Sequence, residues 1–296
     1  MVFEIRTAEP GDAAGIAAVW AAAMPQLVKT ARGIEAELRN NQGRIVLIAV
    51  AGSEVVGYAN LHLPDPADQA PRVRIAVQVP PAVRRNGIGT ALVARVVDRA
   101  AAAGAARLLT VANDDSLDFA TKHGFTIGRR MSHSQADLST APDPLPVPDG
   151  LRLVTYDALS PERLHEAEVA VRDDDPSGLS SGGGYDEWLA RAWNHPDLRR
   201  DLSFAVVDGE DVQSFVSTTV DPDRRVIWSN LTGTVPSARG RGLAKIVKSH
   251  ALAASRDAGM VTALTGNDAA NVPMLAVNRW LGYRESGSAW TAEKDL

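Results

Sequence analysis

The segment Val235-Pro-Ser-Ala-Arg239-Gly-Arg-Gly242-Leu-Ala244 decides the fold of this chain. A strand-like run precedes it at positions 226–234, and a helix-like run follows at positions 245–258. Glycines at such a junction let the backbone turn sharply and approach a ligand closely. The unpaired N–H groups at a helix start, together with the positive end of the helix dipole, attract anions such as phosphate. The segment therefore predicts a strand, a turn and a helix that bind a phosphate group.

A second copy of this pattern lies in the first half of the chain. The segment from Val79 to Gly89 reads Val-Pro-Pro-Ala-Val-Arg-Arg-Asn-Gly-Ile-Gly. Its Arg84 and Gly87 each precede their counterparts, Arg239 and Gly242, by 155 positions. Solenoid repeats are about 20 to 50 residues long, so a repeat of this length indicates a duplicated domain.

The composition is that of a globular protein. The chain has 296 residues, of which 45% are hydrophobic and 23% charged, and this length suffices for two domains with a core each. A net charge of −5 gives no support to a nucleic acid or an anionic membrane as a partner. The absence of cysteine excludes disulfides, thiolate metal sites and a cysteine nucleophile. The sequence shows neither a signal peptide nor a long apolar run, so we expect a cytoplasmic protein.

Alternating prolines mark the boundary between the two halves. Four prolines lie at every second position from 142 to 148, and they exclude both a helix and a central strand. We therefore expect a stiff, extended linker over residues 139–150, between domains at residues 1–138 and 151–296. Each half then follows the same order, with a β-hairpin predicted at Gly52 in the first half and at Gly209 in the second.

The order Arg-x-x-Gly-x-Gly or Arg-x-x-Gly-x-Ala after a strand resembles the coenzyme A signature of the GNAT (Gcn5-related) N-acetyltransferases. The tandem arrangement is similar to that of two-domain mycothiol-type and antibiotic-modifying members of the family. The resemblance implies the α/β (α+β) class and two GNAT-like domains, each a mixed, mostly antiparallel sheet flanked by helices. It also implies a V-shaped opening between two central strands, acetyl-CoA as acetyl donor, and direct attack by an amine on the thioester.

In the GNAT family, the backbone of the turn binds pyrophosphate and the adjoining strand binds pantetheine. Carried over to this sequence, the resemblance implies two coenzyme sites. The first would use Val77, Val79, Arg84, Arg85, Asn86, Gly87, Ile88, Gly89 and Thr90. The second would use Thr232, Thr234, Arg239, Gly240, Arg241, Gly242 and Ala244.

Three asparagines of the second half form another group of candidates. Asn267 and Asn271 follow a predicted strand, and Asn278 lies seven residues after Asn271, on the same helical face. The resemblance places this face beside pantetheine and its sulfur. Asn267 and Asn271 are therefore expected to bind coenzyme, as is Asn113 in the first half. A helix cap and an exposed asparagine are the alternative interpretation.

The group that would protonate the departing thiolate is missing from both halves. Many GNAT enzymes have a tyrosine four residues before the glycine that ends this helix. Here Ala120 precedes Gly124, and Asn278 precedes Gly282. The amide of Asn278 can donate a hydrogen bond to developing negative charge, whereas Ala120 cannot. This difference favours the second half as the catalytic one, with Asn278 as a catalytic residue.

The general base is the least defined part of the site. The strands that precede the two phosphate turns, at positions 72–79 and 226–234, contain no acidic residue. We expect Asp173, Asp174 and Asp175 to attract a cationic amine and to relay its proton, because this segment commonly borders the acceptor pocket in the fold. A solvated acidic loop is the alternative, and we expect structural or surface roles for the six histidines. Lesser candidates are Asp186, Glu187, Glu293 and the terminal carboxylate of Leu296.

These features predict an acetyl-CoA-dependent N-acetyltransferase that modifies the primary amine of a small cationic molecule, such as an aminoglycoside or a basic peptide antibiotic. Two other functions fit the same sequence. One is a protein or peptide N-acetyltransferase, and the other is a non-catalytic acetyl-CoA sensor. We expect a monomer or homodimer without a bound metal, a nucleic acid partner or a membrane.

Overall fold

The computed structural model describes residues 1–40, 43–63, 71–172 and 184–296. The chain forms two compact units. The first contains Met1–Met131 together with Ser288–Leu296, and the second contains Ser132–Gly287. No helix among these residues is both long and apolar enough to span a membrane.

The first unit is a mixed sheet with helices packed against it. Its strands are β1 (Glu4–Thr7), β2 (Arg44–Ala51), β3 (Glu54–His62), β4 (Arg72–Gln78) and β5 (Arg107–Asn113). Its helices are α1 (Ala13–Ala23), α2 (Ala31–Arg39), α3 (Ile88–Ala102) and α4 (Leu117–Lys122). Strands β1 to β4 pair antiparallel in sequence order, and β4 pairs parallel with β5.

The second unit repeats this order. Its strands are β7 (Arg152–Thr155), β8 (Phe204–Asp208), β9 (Asp211–Asp221), β10 (Val226–Thr234) and β11 (Thr262–Asp268). Its helices are α5 (Pro161–Arg172), α6 (Tyr185–Trp188) with a π-helical turn at Leu189–Trp193, α7 (Leu243–Asp257) and α8 (Val272–Trp280). Strands β7 to β10 pair antiparallel, and β10 pairs parallel with β11. The predicted fold class and both predicted hairpins are therefore confirmed.

Two long strands pass from one unit into the other. They are β6 (Thr126–Asp137) and β12 (Arg284–Asp295), and the unit boundaries fall inside both. The second half of β12 pairs with β5 of the first unit, from Ala289 opposite Asn113 to Asp295 opposite Arg107. By contacts, the first unit thus includes residues from both ends of the chain, and the domain bounds predicted at residues 1–138 and 151–296 stay a prediction. Strand pairing, which joins residues far apart in the chain, sets this division.

In each unit the two parallel central strands separate after three paired residues. In the first unit the pairs run from Arg72–Arg107 to Arg74–Leu109. In the second they run from Val226–Thr262 to Trp228–Leu264. Beyond these pairs the strands diverge, and a V-shaped opening results in each unit.

Candidate functional site

Each V-shaped opening lies next to a glycine turn that begins a helix. Gly87 and Gly242 are the residues before α3 and α7, and both have left-handed backbone geometry, with φ of 82° and 77°. The signature arginine braces each turn in the same way. Arg84 Nε donates to the Val79 carbonyl at 3.1 Å, and Arg239 Nε donates to the Thr234 carbonyl at 3.2 Å. The strand, turn and helix predicted from the repeat are present in both halves.

The second turn has room for an anion. A Cβ atom built on Gly240 or on Gly242 would meet no other atom within 4 Å, and the same holds for Gly87 in the first turn. The first N–H groups of α7 have no carbonyl of their own helix to bond, as at every helix start. Open space in front of unpaired N–H groups fits the predicted pyrophosphate position of coenzyme A.

Two side chains next to the first turn distinguish it from the second. Arg84 Nη1 pairs with the carboxylate of Asp115 at 2.5 Å, which places a negative charge beside the turn. The position that corresponds to Asp115 by strand register is Ala270. A Cβ on Gly89 would lie 3.1 Å from the Phe119 ring, so this ring fills the space next to the helix start.

A β-bulge distinguishes the strand that leads into the second turn. The pairing of β10 with β9 shifts register between Ser229 and Thr232, whereas β4 pairs with β3 without a shift. Ser217 holds the bulge, because its Oγ accepts from the Leu231 N–H at 3.1 Å and lies 3.4 Å from the Leu231 carbonyl. Bulges re-aim backbone groups and occur often beside active sites.

Polar side chains converge on the second opening from the side of α7 and α8. Ser229 and Thr265 are the first residues after the last strand pair, and Thr265 Oγ1 donates to the Ser229 carbonyl at 3.3 Å. Asn278 Nδ2 donates to Asn267 Oδ1 at 2.7 Å, and the buried Asn278 Oδ1 has no partner among the described residues. A buried amide oxygen without a partner indicates a place for a donor from outside the protein.

Two further side chains extend this group into the core. The Tyr283 hydroxyl lies 3.0 Å from Ser229 Oγ, and Lys248 Nζ lies 5.1 Å from the centre of the Tyr283 ring. Burial raises the pKa of Tyr283 and lowers the pKa of Lys248 to about 7. We refer to the whole group as the polar floor, which comprises Ser229, Lys248, Thr265, Asn267, Asn278 and Tyr283.

The first unit has an apolar core at the same positions. Strand register and the spacing from the two glycine turns give the counterparts of the polar floor. In the order used above they are Ile75, Val93, Thr110, Ala112, Ala120 and Phe125. All of them except Thr110 are buried members of one hydrophobic cluster. Burying polar groups costs free energy unless they are paired. Their presence in the second unit, where the first has apolar residues, therefore indicates a functional role.

The remaining predicted residues have varied surroundings. Asn271 caps α8 by accepting from the Met274 N–H at 3.2 Å, which is the structural alternative considered for it. Asn113 accepts from Gln26 and donates to Met24 Sδ. Thr234 bonds Ser214 at 2.9 Å. Their roles in coenzyme binding stay predictions, as do those of Val77, Arg85, Asn86, Ile88, Thr90, Thr232, Arg241 and Ala244.

The predicted acidic base is not brought to the site by the described residues. Asp173, Asp174 and Asp175 lie outside the described residues. Asp186 and Glu187 are exposed in the first turn of α6. Glu293 belongs to the first unit, where it pairs with Arg107 at 3.2 Å. Sequence reasoning missed Ser229, Lys248 and Tyr283, although comparing the two halves position by position would have shown polar residues opposite apolar ones.

Comparisons with known proteins agree with this architecture. The acetyltransferase (GNAT) family model matches residues 7–125. A mycothiol acetyltransferase of Rhodococcus erythropolis is 28% identical over 249 residues, which cover 80% of each chain.

Two solved structures have the same fold over almost the whole chain. A tandem GNAT protein from the clavulanic acid biosynthesis pathway superposes with a TM-score of 0.76 at 20% identity, covering 99% of this chain and 98% of its own. A GCN5-related N-acetyltransferase of Sphaerobacter thermophilus gives 0.72 at 18% identity, covering 99% and 95%. The chain is therefore an N-acetyltransferase with a GNAT family domain in residues 7–125 and the tandem GNAT fold over its whole length.

Proposed function

We propose that the protein transfers the acetyl group of acetyl-CoA to the primary amine of a small cationic molecule, and that the second unit performs the reaction. The polar floor carries this proposal, because the first unit has apolar side chains at five of the six equivalent positions. The β-bulge and the alanine at position 270, where the first unit has Asp115 beside its turn, support the same assignment.

Asn278 and Asn267 form the part of the polar floor that faces the leaving group in this proposal. In the orientation described, Asn278 offers a free carbonyl oxygen to an amide N–H of pantetheine. If both amides reverse, Asn267 donates to Asn278, and Asn278 Nδ2 becomes free to donate to the departing thiolate. The pair can thus serve binding and charge stabilisation without a titrating side chain.

The charge of the chain and of α6 supports the proposed acceptor. The chain is acidic, and Asp186 and Glu187 lie exposed in the first turn of α6, which favours a cationic amine. The Rhodococcus relative is named for mycothiol, a small molecule. Small amines of that kind, aminoglycosides and basic peptide antibiotics are therefore the acceptors to test first.

Calorimetric titration of acetyl-CoA tests the assignment of the units. The variants Gly87→Asp and Gly242→Asp each place a negative side chain at a residue with positive φ in one turn. We expect Gly242→Asp to abolish acetyl transfer and the binding event in the second unit, and Gly87→Asp to leave turnover intact. Loss of turnover in Gly87→Asp alone would transfer the activity to the first unit. Absence of binding to the unmodified protein would refute acetyl-CoA as donor.

A panel of amines tests the acceptor. Charged and neutral amines of similar size are offered with acetyl-CoA, and release of the free thiol of coenzyme A is followed. Acetylation of neutral amines only would refute the cationic preference while leaving the acetyltransferase assignment in place.

A further inference from the structure

The second unit contains a buried histidine that the proposed reaction has not yet used. His133 lies in the part of β6 that belongs to the second unit, and it is 7% exposed. Within the described part of the chain, neither Nδ1 nor Nε2 of its ring has a hydrogen-bond partner. Two unpaired ring nitrogens in the interior cost free energy, so this imidazole calls for a functional explanation.

The imidazole lies beside the strand that borders the second opening. A Cβ built on Gly266 would be 3.2 Å from His133 Nδ1 and 3.2 Å from the end of the Trp228 indole. Trp228 belongs to the last pair between β10 and β11, and Gly266 is two residues beyond that pair. A larger residue at this position would therefore press on both rings.

His133 is on the opposite face of the sheet from the polar floor. Side chains alternate along a strand, so Gly266 faces away from Thr265 and Asn267, which belong to the polar floor. Ala263, on the face of Thr265, packs in one cluster with Leu252 of α7. The β11 segment just beyond the last pair thus separates amides on one face from an imidazole on the other.

The first unit has no counterpart to this histidine. His133 lies eight residues after Phe125, and Thr291 lies eight residues after Tyr283. Thr291 pairs with Val111 of β5, the residue that corresponds to Gly266. The first unit thus has Thr291 and Val111 where the second has His133 and Gly266. The fold is common to both units, whereas the histidine occurs only in the unit that has the polar floor.

The acetyl transfer proposed above needs a proton acceptor, and on that basis we propose that His133 is the general base that deprotonates the acceptor amine in the second unit. Strand β10 has no acidic residue to serve instead. Burial lowers the pKa of His133, and no charged group contributes to this shift, so the neutral, proton-accepting ring predominates at neutral pH. Transfer proceeds directly or through one water molecule.

One nitrogen of the neutral imidazole takes a proton from the ammonium form of the acceptor, which frees the lone pair of the amine. That lone pair forms the C–N bond to the thioester carbonyl, and the electron pair of the C–S bond leaves with sulfur. The new amide nitrogen loses its second proton to the thiolate, and the imidazolium returns its proton to solvent.

The variants His133→Gln and His133→Asn, each paired with two kinds of amine, test the proposal. An alkylamine stays protonated at neutral pH, whereas an alkoxyamine of similar size is already neutral and needs no base. We expect both variants to lower kcat/KM for the alkylamine by about 10²-fold and to leave the alkoxyamine rate nearly unchanged. Raising the pH should restore alkylamine acetylation in the variants, because hydroxide then removes the proton.

Calorimetry with acetyl-CoA separates this proposal from the one on which it rests. We expect both His133 variants to bind acetyl-CoA as the unmodified protein does. His165→Gln is the matched control, since His165 also has a buried, unpartnered ring nitrogen in the second unit. Equal losses for both amines, or no loss for either, would overturn the role of His133. A protein that binds no acetyl-CoA before substitution would instead refute the proposed function.

Discussion

The side-chain nitrogen of Lys248 lies 5.1 Å from the centre of the Tyr283 ring, in the interior of the second unit. This burial lowers the pKa of Lys248 to about 7, from 10.5 in an exposed lysine. Between these two values the unfolded chain holds a proton that the folded chain has released. The free energy of unfolding should therefore rise with pH in that window, by up to about 1.4 kcal/mol per unit.

Urea unfolding at several pH values between 7 and 10 checks this prediction. Lys248→Met, which keeps the length of the side chain without the charge, should flatten the rise and stabilise the protein most at the lower end of the range. Lys245→Met is the control, because Lys245 is on the same helix but only partly buried. An equal slope in Lys248→Met and in the unmodified protein would contradict the assignment.

The amide pair of the polar floor predicts a defect in turnover. Asn278→Ala removes the amide that, once the pair reverses, donates to the departing thiolate, so we expect kcat to fall by about 10²-fold. Acetyl-CoA affinity should change less than kcat, since the pyrophosphate turn is untouched.

A double-mutant cycle with Asn267→Ala measures whether the two amides act together. We expect the double variant to lose little more than Asn278→Ala alone, because each amide orients the other. Fully additive losses would show that the 2.7 Å hydrogen bond between them has no part in the reaction.

Ser217 should be needed for the shape of the second opening. Its hydroxyl bonds the backbone of Leu231 inside the bulge. Ser217→Ala leaves a partly buried N–H group unpaired, which we expect to cost up to about 1 kcal/mol of stability and to lower kcat. Ser214→Ala on the same strand is the comparison variant. It also removes a hydroxyl that bonds the backbone of β10, at the Gly233 carbonyl, but outside the bulge. Denaturation and turnover of both variants should separate a general loss of stability from a loss specific to the bulge.

Asp115 should weaken anion binding in the first unit. Its carboxylate pairs with Arg84 beside the Gly87 turn. Asp115→Asn removes this charge, so we expect acetyl-CoA affinity of the first unit to increase several-fold. The measurement is calorimetry in the Gly242→Asp background, where the second turn is blocked. A decrease in affinity would mean that Asp115 holds Arg84 in its binding position.

Local sequence patterns were sufficient to predict the fold and the two glycine turns. Gly87 and Gly242 each combine a helix start with a positive φ that favours glycine, so their pattern could be read without knowledge of distant residues. The polar floor could not be read in this way. Ser229 lies on β10, Lys248 on α7 and Tyr283 in the connection between α8 and β12, so only the tertiary fold brings them together.

The hydrogen-bond donor predicted for the departing thiolate illustrates the same limit. Asn278 was identified from its spacing to Gly282, and the structure brings it to Asn267. The sequence predicts a structural or surface role for His133, because the six histidines have no metal-like spacing. Its proposed role depends on Gly266, which lies 133 positions away in the sequence. Gly266 is beside His133 because β11 is the neighbour of β6 in the sheet.

The passage of β6 and β12 between the two units has a consequence for synthesis. Ribosomes produce the first unit's residues 1–131 early, yet its sheet includes Ser288–Leu296, which is made after the whole of the second unit. In the nascent chain, the edge of β5 that pairs with β12 therefore stays without that partner until the second half has been translated. Separate expression of the two halves at the proline-rich segment would leave each with a strand that belongs to the other.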